Sequence, residues 1–253
     1  MFGLPLDQLA IWISLLAFVL SLAATLSGER RAREERRRTL RVQLSDVLDR
    51  LSSLQLENAR LVHEARGDAA YVQAVGAALG QQNGFLLDQA SFLAREIPSQ
   101  VTTYEFNTLA AASFAAGNTI DAEKFHQYAI RAARLPLYRA QATRGYAVFL
   151  FAQRRLPEAR AQFAEALALA GDGDNLARQT NGLTYQTWAW HERHVAMDEA
   201  RATQLLDQAR AAYGAIDIEF VRVSMLQALD QATMPGASVA VAAPSRDAPA
   251  EQR

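Results

Sequence analysis

An uncharged stretch from Gln8 to Gly28 limits this chain more than any other feature of its sequence. Within it, Leu9 to Leu26 is an almost unbroken apolar run containing Ile11, Trp12, Ile13, Leu15, Leu16, Phe18, Val19 and Leu20. A helix rises about 1.5 Å per residue, so roughly 20 such residues match the hydrocarbon thickness of a bilayer. The sequence predicts a transmembrane anchor over residues 1–28, touching lipid through residues 4–28. A cleaved secretory signal is the rival reading, because Ala23, Ala24, Ser27 and Gly28 are small. Such a signal carries positive side chains ahead of its core, whereas Asp7 is the only charged side chain there.

The run is followed by Gly28-Glu29-Arg30-Arg31-Ala32-Arg33-Glu34-Glu35-Arg36-Arg37-Arg38-Thr39-Leu40-Arg41, seven arginines against three glutamates. Cytoplasmic flanks collect basic residues close to the membrane. The expected topology is therefore single-pass in the plasma (inner) membrane, with the N-terminus outside and the body cytoplasmic. These arginines read both as the solvated start of a helix and as a weak attraction for anionic headgroups. Nucleic acid is not expected as a partner, since the cluster lies beside the bilayer and lacks interleaved aromatics.

Beyond the flank, Leu40, Leu44, Val47, Leu51, Leu54, Asn58, Leu61 and Ala65 recur at alternating intervals of four and three, the seam of a coiled coil within residues 29–66. Leu44, Leu51, Asn58 and Ala65 fall at a, and Leu40, Val47, Leu54 and Leu61 at d. A lone Asn at a is better satisfied facing its twin in a parallel dimer than in a larger bundle. The dimer seam is thus placed at Leu40, Leu44, Val47, Leu51, Leu54, Asn58 and Leu61. The alternative is that the stripe packs on the chain's own helices. Gly67 and Asp68 close the segment with a helix stop and a new start.

Fifty per cent hydrophobic and 21% charged residues exclude a disordered chain, and 13 Gly with 7 Pro leave little material for an all-β fold of 253 residues. The fold class is all-α. Helical stretches over residues 68–233 are separated by Asn83-Gly84, Pro98-Ser99, Gly117-Asn118, Leu135-Pro136, Pro157, Gly171 to Asn175, Met197-Asp198 and Gly214. Residues 68–96 are expected as a helical pair and Ile216 to Thr233 as a closing helix. Residues 234–253, starting with Met234-Pro-Gly-Ala-Ser, have no period and read as a flexible tail.

Within the body, Gly117 is followed by Ala122 and Ala129, with Phe106, Leu109 and Ala110 before them. A second set has Thr143, Tyr146 and Ala147, then Ala159, Phe163 and Ala166; a third has Gln186, Ala189 and Trp190, then Ala202, Leu206 and Ala209. From Val101 to Tyr213 the chain resembles the tetratricopeptide repeat family, whose small residues let helical hairpins approach closely. It departs from that family in spacing, since the alanine pairs lie 37 and 43 residues apart instead of about 34. The resemblance implies a short α-solenoid acting as a scaffold for an unidentified protein or peptide. It also implies a groove at Tyr104, Asn107 and Phe114, at Gln141, Arg144 and Phe151, and at Thr184, Thr187, His191 and His194.

Chemistry leaves few traces. The chain has no cysteine, which removes thiolate zinc sites and cysteine nucleophiles. His191-Glu192-Arg193-His194 has its histidines three apart, whereas a zinc-protease helix needs them four apart. Gly171-Asp172-Gly173-Asp174-Asn175 lacks the glycine and terminal glutamate of a calcium loop. No phosphate-cradling glycine motif or Gly-x-Ser-x-Gly is present. No catalytic residue, metal or cofactor is expected. The alternatives to a scaffold are a helical metal hydrolase using His191, Glu192 and His194, and a structural spacer that only self-associates.

Overall fold

A computed structural model describes the backbone of residues 6–64 and 69–233. Side chains are described from residue 28 onward, except 30, 55, 58, 59, 62–75, 78 and those from 233 to the end. Among the described residues every regular element is helical. The elements are α1 (Leu6–Glu64), α2 (Ala69–Glu96), a 3₁₀ turn (Pro98–Gln100), α3 (Thr103–Ala115), α4 (Thr119–Ala132), α5 (Pro136–Ala152), α6 (Leu156–Ala170) and α7 (Asn175–His191). A π-helical turn (Glu192–Ala196), α8 (Glu199–Gly214) and α9 (Glu219–Thr233) complete them. The chain divides into two compact units inside α4, one ending at Phe125 and the other starting at His126.

In the first unit α2 packs along α1. The pairing is antiparallel, because Arg36 of α1 reaches Glu96 at the end of α2 while Leu51 lies across a cleft from Gly80, Gly84 and Leu87. Leu44, Val47, Leu48, Leu51 and Leu54 of α1 are buried with Leu86, Leu87, Ala90, Leu93 and Ala94 of α2. This differs from the expected dimer seam. Leu44, Val47, Leu51 and Leu54 are covered inside one chain, so they are not available to a second coil without α2 leaving. Leu40 and Leu61 are half-buried, and Asn58 and Ala65 lie outside the described side chains, as do Gly67 and Asp68.

A second difference is at Asn83-Gly84, where the expected turn is absent and α2 runs through as a single helix. The expected helical pair of residues 68–96 is therefore one long helix. Leu86, Leu87, Ala90, Leu93 and Ala94, buried with α1 just beyond Gly84, outweigh the local preference of one Asn-Gly for a turn. The other breaks stand where the sequence puts them. Pro98 opens the 3₁₀ turn, and Gly117 adopts a positive φ of 80° between α3 and α4. Pro136 starts α5 at a position with no N–H to lose. Asp174 and Asp198 cap α7 and α8 by accepting from the N–H groups of Ala177 and Arg201.

In the second unit α5 packs along α6 and α7 along α8, while α7 also touches both α5 and α6. The connections are short, as in αα-hairpins. Ala147, Ala159, Phe163, Ala166, Ala189, Ala202 and Ala209 are all buried, which lets the helix axes approach. Helix α9 closes this unit by burying Leu229 against Ala209, Tyr213 and Ile216 of the α8 end. It begins at Glu219 rather than Ile216, because Ile216 is drawn into that core. Among the described residues no helix is long and apolar enough to cross a membrane. The run of residues 9–26, where the anchor is expected, has its side chains outside those described, and the tail of residues 234–253 is outside altogether.

Candidate functional site

The second unit gathers the groove candidates of α5 and α7. Arg144 on α5 is half-buried, and its Nη1 lies 3.5 Å from the Thr184 hydroxyl of α7. Among the described residues no carboxylate comes within ion-pair distance of it. Burial pushes the guanidinium down from its usual range, and Tyr213 on α8 acts the other way. Tyr213 is itself raised by burial and donates to Gln186 Oε1 at 2.9 Å. A cation held among neutral hydroxyls with no counter-charge is an unfinished electrostatic arrangement.

Helix α7 presents Leu176, Leu183 and Trp190 to solvent. They are seven residues apart, so they lie along one face of the helix. Trp190 is 44% exposed and stacks on the exposed His194 ring at 4.7 Å between centroids. Gln141 on α5 is exposed, and Thr187 is half-buried with its hydroxyl donating to Leu183 O.

Three of the expected groove residues are placed otherwise. Phe151 is fully buried, with its ring 5.8 Å from Phe163 and 5.4 Å from His191. Phe163 of α6 and His191 of α7 cover the end of α5 where a groove residue is expected. Thr184 is fully buried, and its hydroxyl donates to Thr180 O at 2.7 Å. His191 is buried with Nδ1 2.8 Å from Thr187 O, and its pKa is lowered chiefly by burial. In the first unit Tyr104 is 79% exposed and Phe114 is exposed, while the Asn107 side-chain oxygen is shielded from solvent with no hydrogen-bond partner.

Glu192, the one carboxylate of the hydrolase alternative, is fully buried and engaged. Its oxygens accept from Arg160 Nε at 2.8 Å and Nη2 at 2.7 Å, and from Trp188 Nε1 at 2.8 Å. Arg201 Nε lies 3.2 Å away, with its guanidinium 5.1 Å from the Trp188 ring centre. One carboxylate thus joins α6, α7 and α8. With both oxygens committed to arginines, Glu192 is neither a free base nor a free ligand. Among the described residues no cluster of three or more His, Asp or Glu is placed to hold a metal ion. Sequence reasoning missed this knot because its arginines come from 32 residues before and nine after Glu192, on separate helices. The one local signal is Trp188, four residues before Glu192 on the same helical face.

No protein-family model matches the chain, and neither a curated protein nor a solved structure matches it.

Proposed function

We propose that the chain is a single-pass, membrane-anchored scaffold whose cytoplasmic, tetratricopeptide-like hairpins bind a peptide or helix of another protein. The observation that carries this reading is Arg144, a half-buried guanidinium with no carboxylate within ion-pair distance among the described residues, next to Thr184 of α7, a helix that exposes Leu183 and Trp190. A partner carboxylate supplies the missing charge through a two-pronged contact, and the apolar face supplies area for an adjoining side chain. Buried alanines at Ala159, Ala166, Ala202 and Ala209, in hairpins α5/α6 and α7/α8, support the solenoid reading. The apolar run and the arginines after it support the anchor and its orientation.

Proximity labelling from the C-terminus in native membranes identifies the partner, and calorimetry then measures it. Arg144→Gln and Trp190→Ala are each expected to weaken binding by about 1 to 2 kcal/mol, or more for an anchor. The circular dichroism of both is expected to stay unchanged. Full affinity in both variants places the binding surface elsewhere.

A further inference from the structure

We propose that the arginines after the apolar run divide into two sets: Arg41, with a lesser contact from Arg36, ties α1 to the first unit, whereas Arg31 binds the phosphates of anionic phospholipids and Arg37 and Arg38 add longer-range attraction to the same headgroups. The proposal rests on the anchor reading above. Arg41 Nη1 bonds Glu105 Oε1 at 2.6 Å. The other oxygen of Glu105 accepts from Thr102 N and Oγ1 at 2.8 and 2.9 Å, completing the cap of α3. Arg36 reaches Glu96 at the end of α2, 3.8 Å away. Those two guanidiniums tie α1 to the neighbouring helices.

Arg31, Arg37 and Arg38 are exposed, and none has a carboxylate within ion-pair distance among the described residues. Glu34 and Glu35 lie between them, likewise without an ion pair, so they moderate the local positive charge without neutralising it. Arg33 differs, being paired with Glu29 at 3.3 Å in an exposed bridge.

Position along α1 selects the ligand. The apolar run ends at Leu26, and α1 continues through it without a break. At about 1.5 Å per residue, Arg31 stands about 7 Å beyond that end and Arg38 about 18 Å. The headgroup layer extends roughly 5 to 8 Å from the hydrocarbon. Side chains on a helix lean toward its N-terminus, which here is the membrane end. Arg31 thus falls within the headgroups, and Arg37 and Arg38 fall about one Debye length above them. The forked guanidinium suits a phosphate diester. The exposed aromatics Phe92 and Tyr104 stay out of lipid, because each lies within one turn of a residue bonded to Arg36 or Arg41, about 15 to 22 Å beyond the hydrocarbon edge.

The test uses the full chain reconstituted in vesicles, with a donor dye on an introduced Ser45→Cys. The chain has no other cysteine. Energy transfer to labelled phosphatidylglycerol is compared with transfer to labelled phosphatidylcholine. The proposal expects phosphatidylglycerol to be enriched around the native chain and the enrichment to fall with salt. Replacing Arg31, Arg37 and Arg38 together by Gln is expected to lower the preference about five-fold or more, most of it from Arg31 at the surface and less from Arg37 and Arg38. Replacing Arg36 and Arg41 by Gln is expected to lower the preference less than that and to speed amide exchange in the first turn of α3. Equal transfer to both lipids, or equal losses in the two variants, overturns the proposal. Displacement of phosphatidylglycerol by inorganic phosphate beyond that by chloride of equal ionic strength assigns the site to free phosphate and also overturns it. Extraction of the chain from pure phosphatidylcholine vesicles at alkaline pH overturns the anchor reading instead, and removes the geometry on which the proposal depends.

Discussion

Glu192 is the side chain whose replacement separates a structural carboxylate from a chemical one. Its fully buried oxygens hold Arg160 and Arg201, whose own side chains are 31% and 39% exposed. Breaking a buried pair costs about 3 to 5 kcal/mol, and solvent access to the arginines favours the lower end. Glu192→Gln is therefore expected to lower unfolding stability by about 3 kcal/mol in urea titration. Adding Arg160→Met is expected to recover part of that loss, as a double-mutant cycle will show; full additivity contradicts the coupling. His191 gives a pH effect of definite sign. Its folded pKa lies below the ordinary 6.5, so the unfolded chain binds the proton more readily and stability is lost as pH falls below about 6.5. The neighbours acting on it are His194, which lowers it further, and Glu192, which raises it. His191→Phe, which fits beside Phe151, Phe163 and Trp190, is expected to flatten the melting temperature between pH 7.5 and 5.5 relative to the native chain. An unchanged pH slope contradicts this account. The same burial keeps His191 away from a ligand on the exposed face of α7.

Helices α2 and α7 each contain a glycine that tests the element around it, and the two point in opposite directions. A Cβ at Gly84 meets nothing, and the position is in mid-helix, so Gly84→Ala is expected to stabilise the first unit by about 0.5 to 1 kcal/mol. A turn at Asn83-Gly84 predicts the reverse. At Gly182 a Cβ falls within the Tyr213 ring, so Gly182→Ala is expected to cost about 1 to 3 kcal/mol by overpacking. Thermal denaturation of the two variants settles both. These sites also mark where the sequence is legible. Helix ends are written locally, in Pro136, Asp174 and Asp198, and they are found where expected. The single long α2 is not, because it depends on burial against α1, which a local Asn-Gly signal does not report. The stripe at Leu44, Val47, Leu51 and Leu54 was legible as an apolar face but not as to its cover. Seven-residue spacing fits a second chain and the chain's own α2 equally well. For the site, the tetratricopeptide resemblance implies Phe151 and Thr184 on the open face, whereas both are buried. Phe151 is covered by Phe163 and His191, which lie 12 and 40 residues further along the chain, so its local sequence does not report the cover.

Across the whole molecule the two units are joined within α4, and the apolar run, the arginines and the first unit share the single helix α1. The intramolecular use of the α1 stripe predicts that a fragment of residues 28–125 is monomeric in sedimentation equilibrium in the micromolar range. Dimer formation abolished by Leu51→Ala contradicts that use. The central claim is the anchored, cytoplasmic scaffold, and a cysteine-free sequence makes it directly measurable. Single cysteines are introduced at Phe2 and at the exposed Gln204 and reacted with a membrane-impermeant maleimide in intact cells, then after permeabilisation. The account predicts that Phe2→Cys reacts in intact cells and Gln204→Cys only after permeabilisation, with the chain resisting alkaline extraction from membranes. Reaction of Gln204→Cys in intact cells, or release of the chain by alkali, contradicts it.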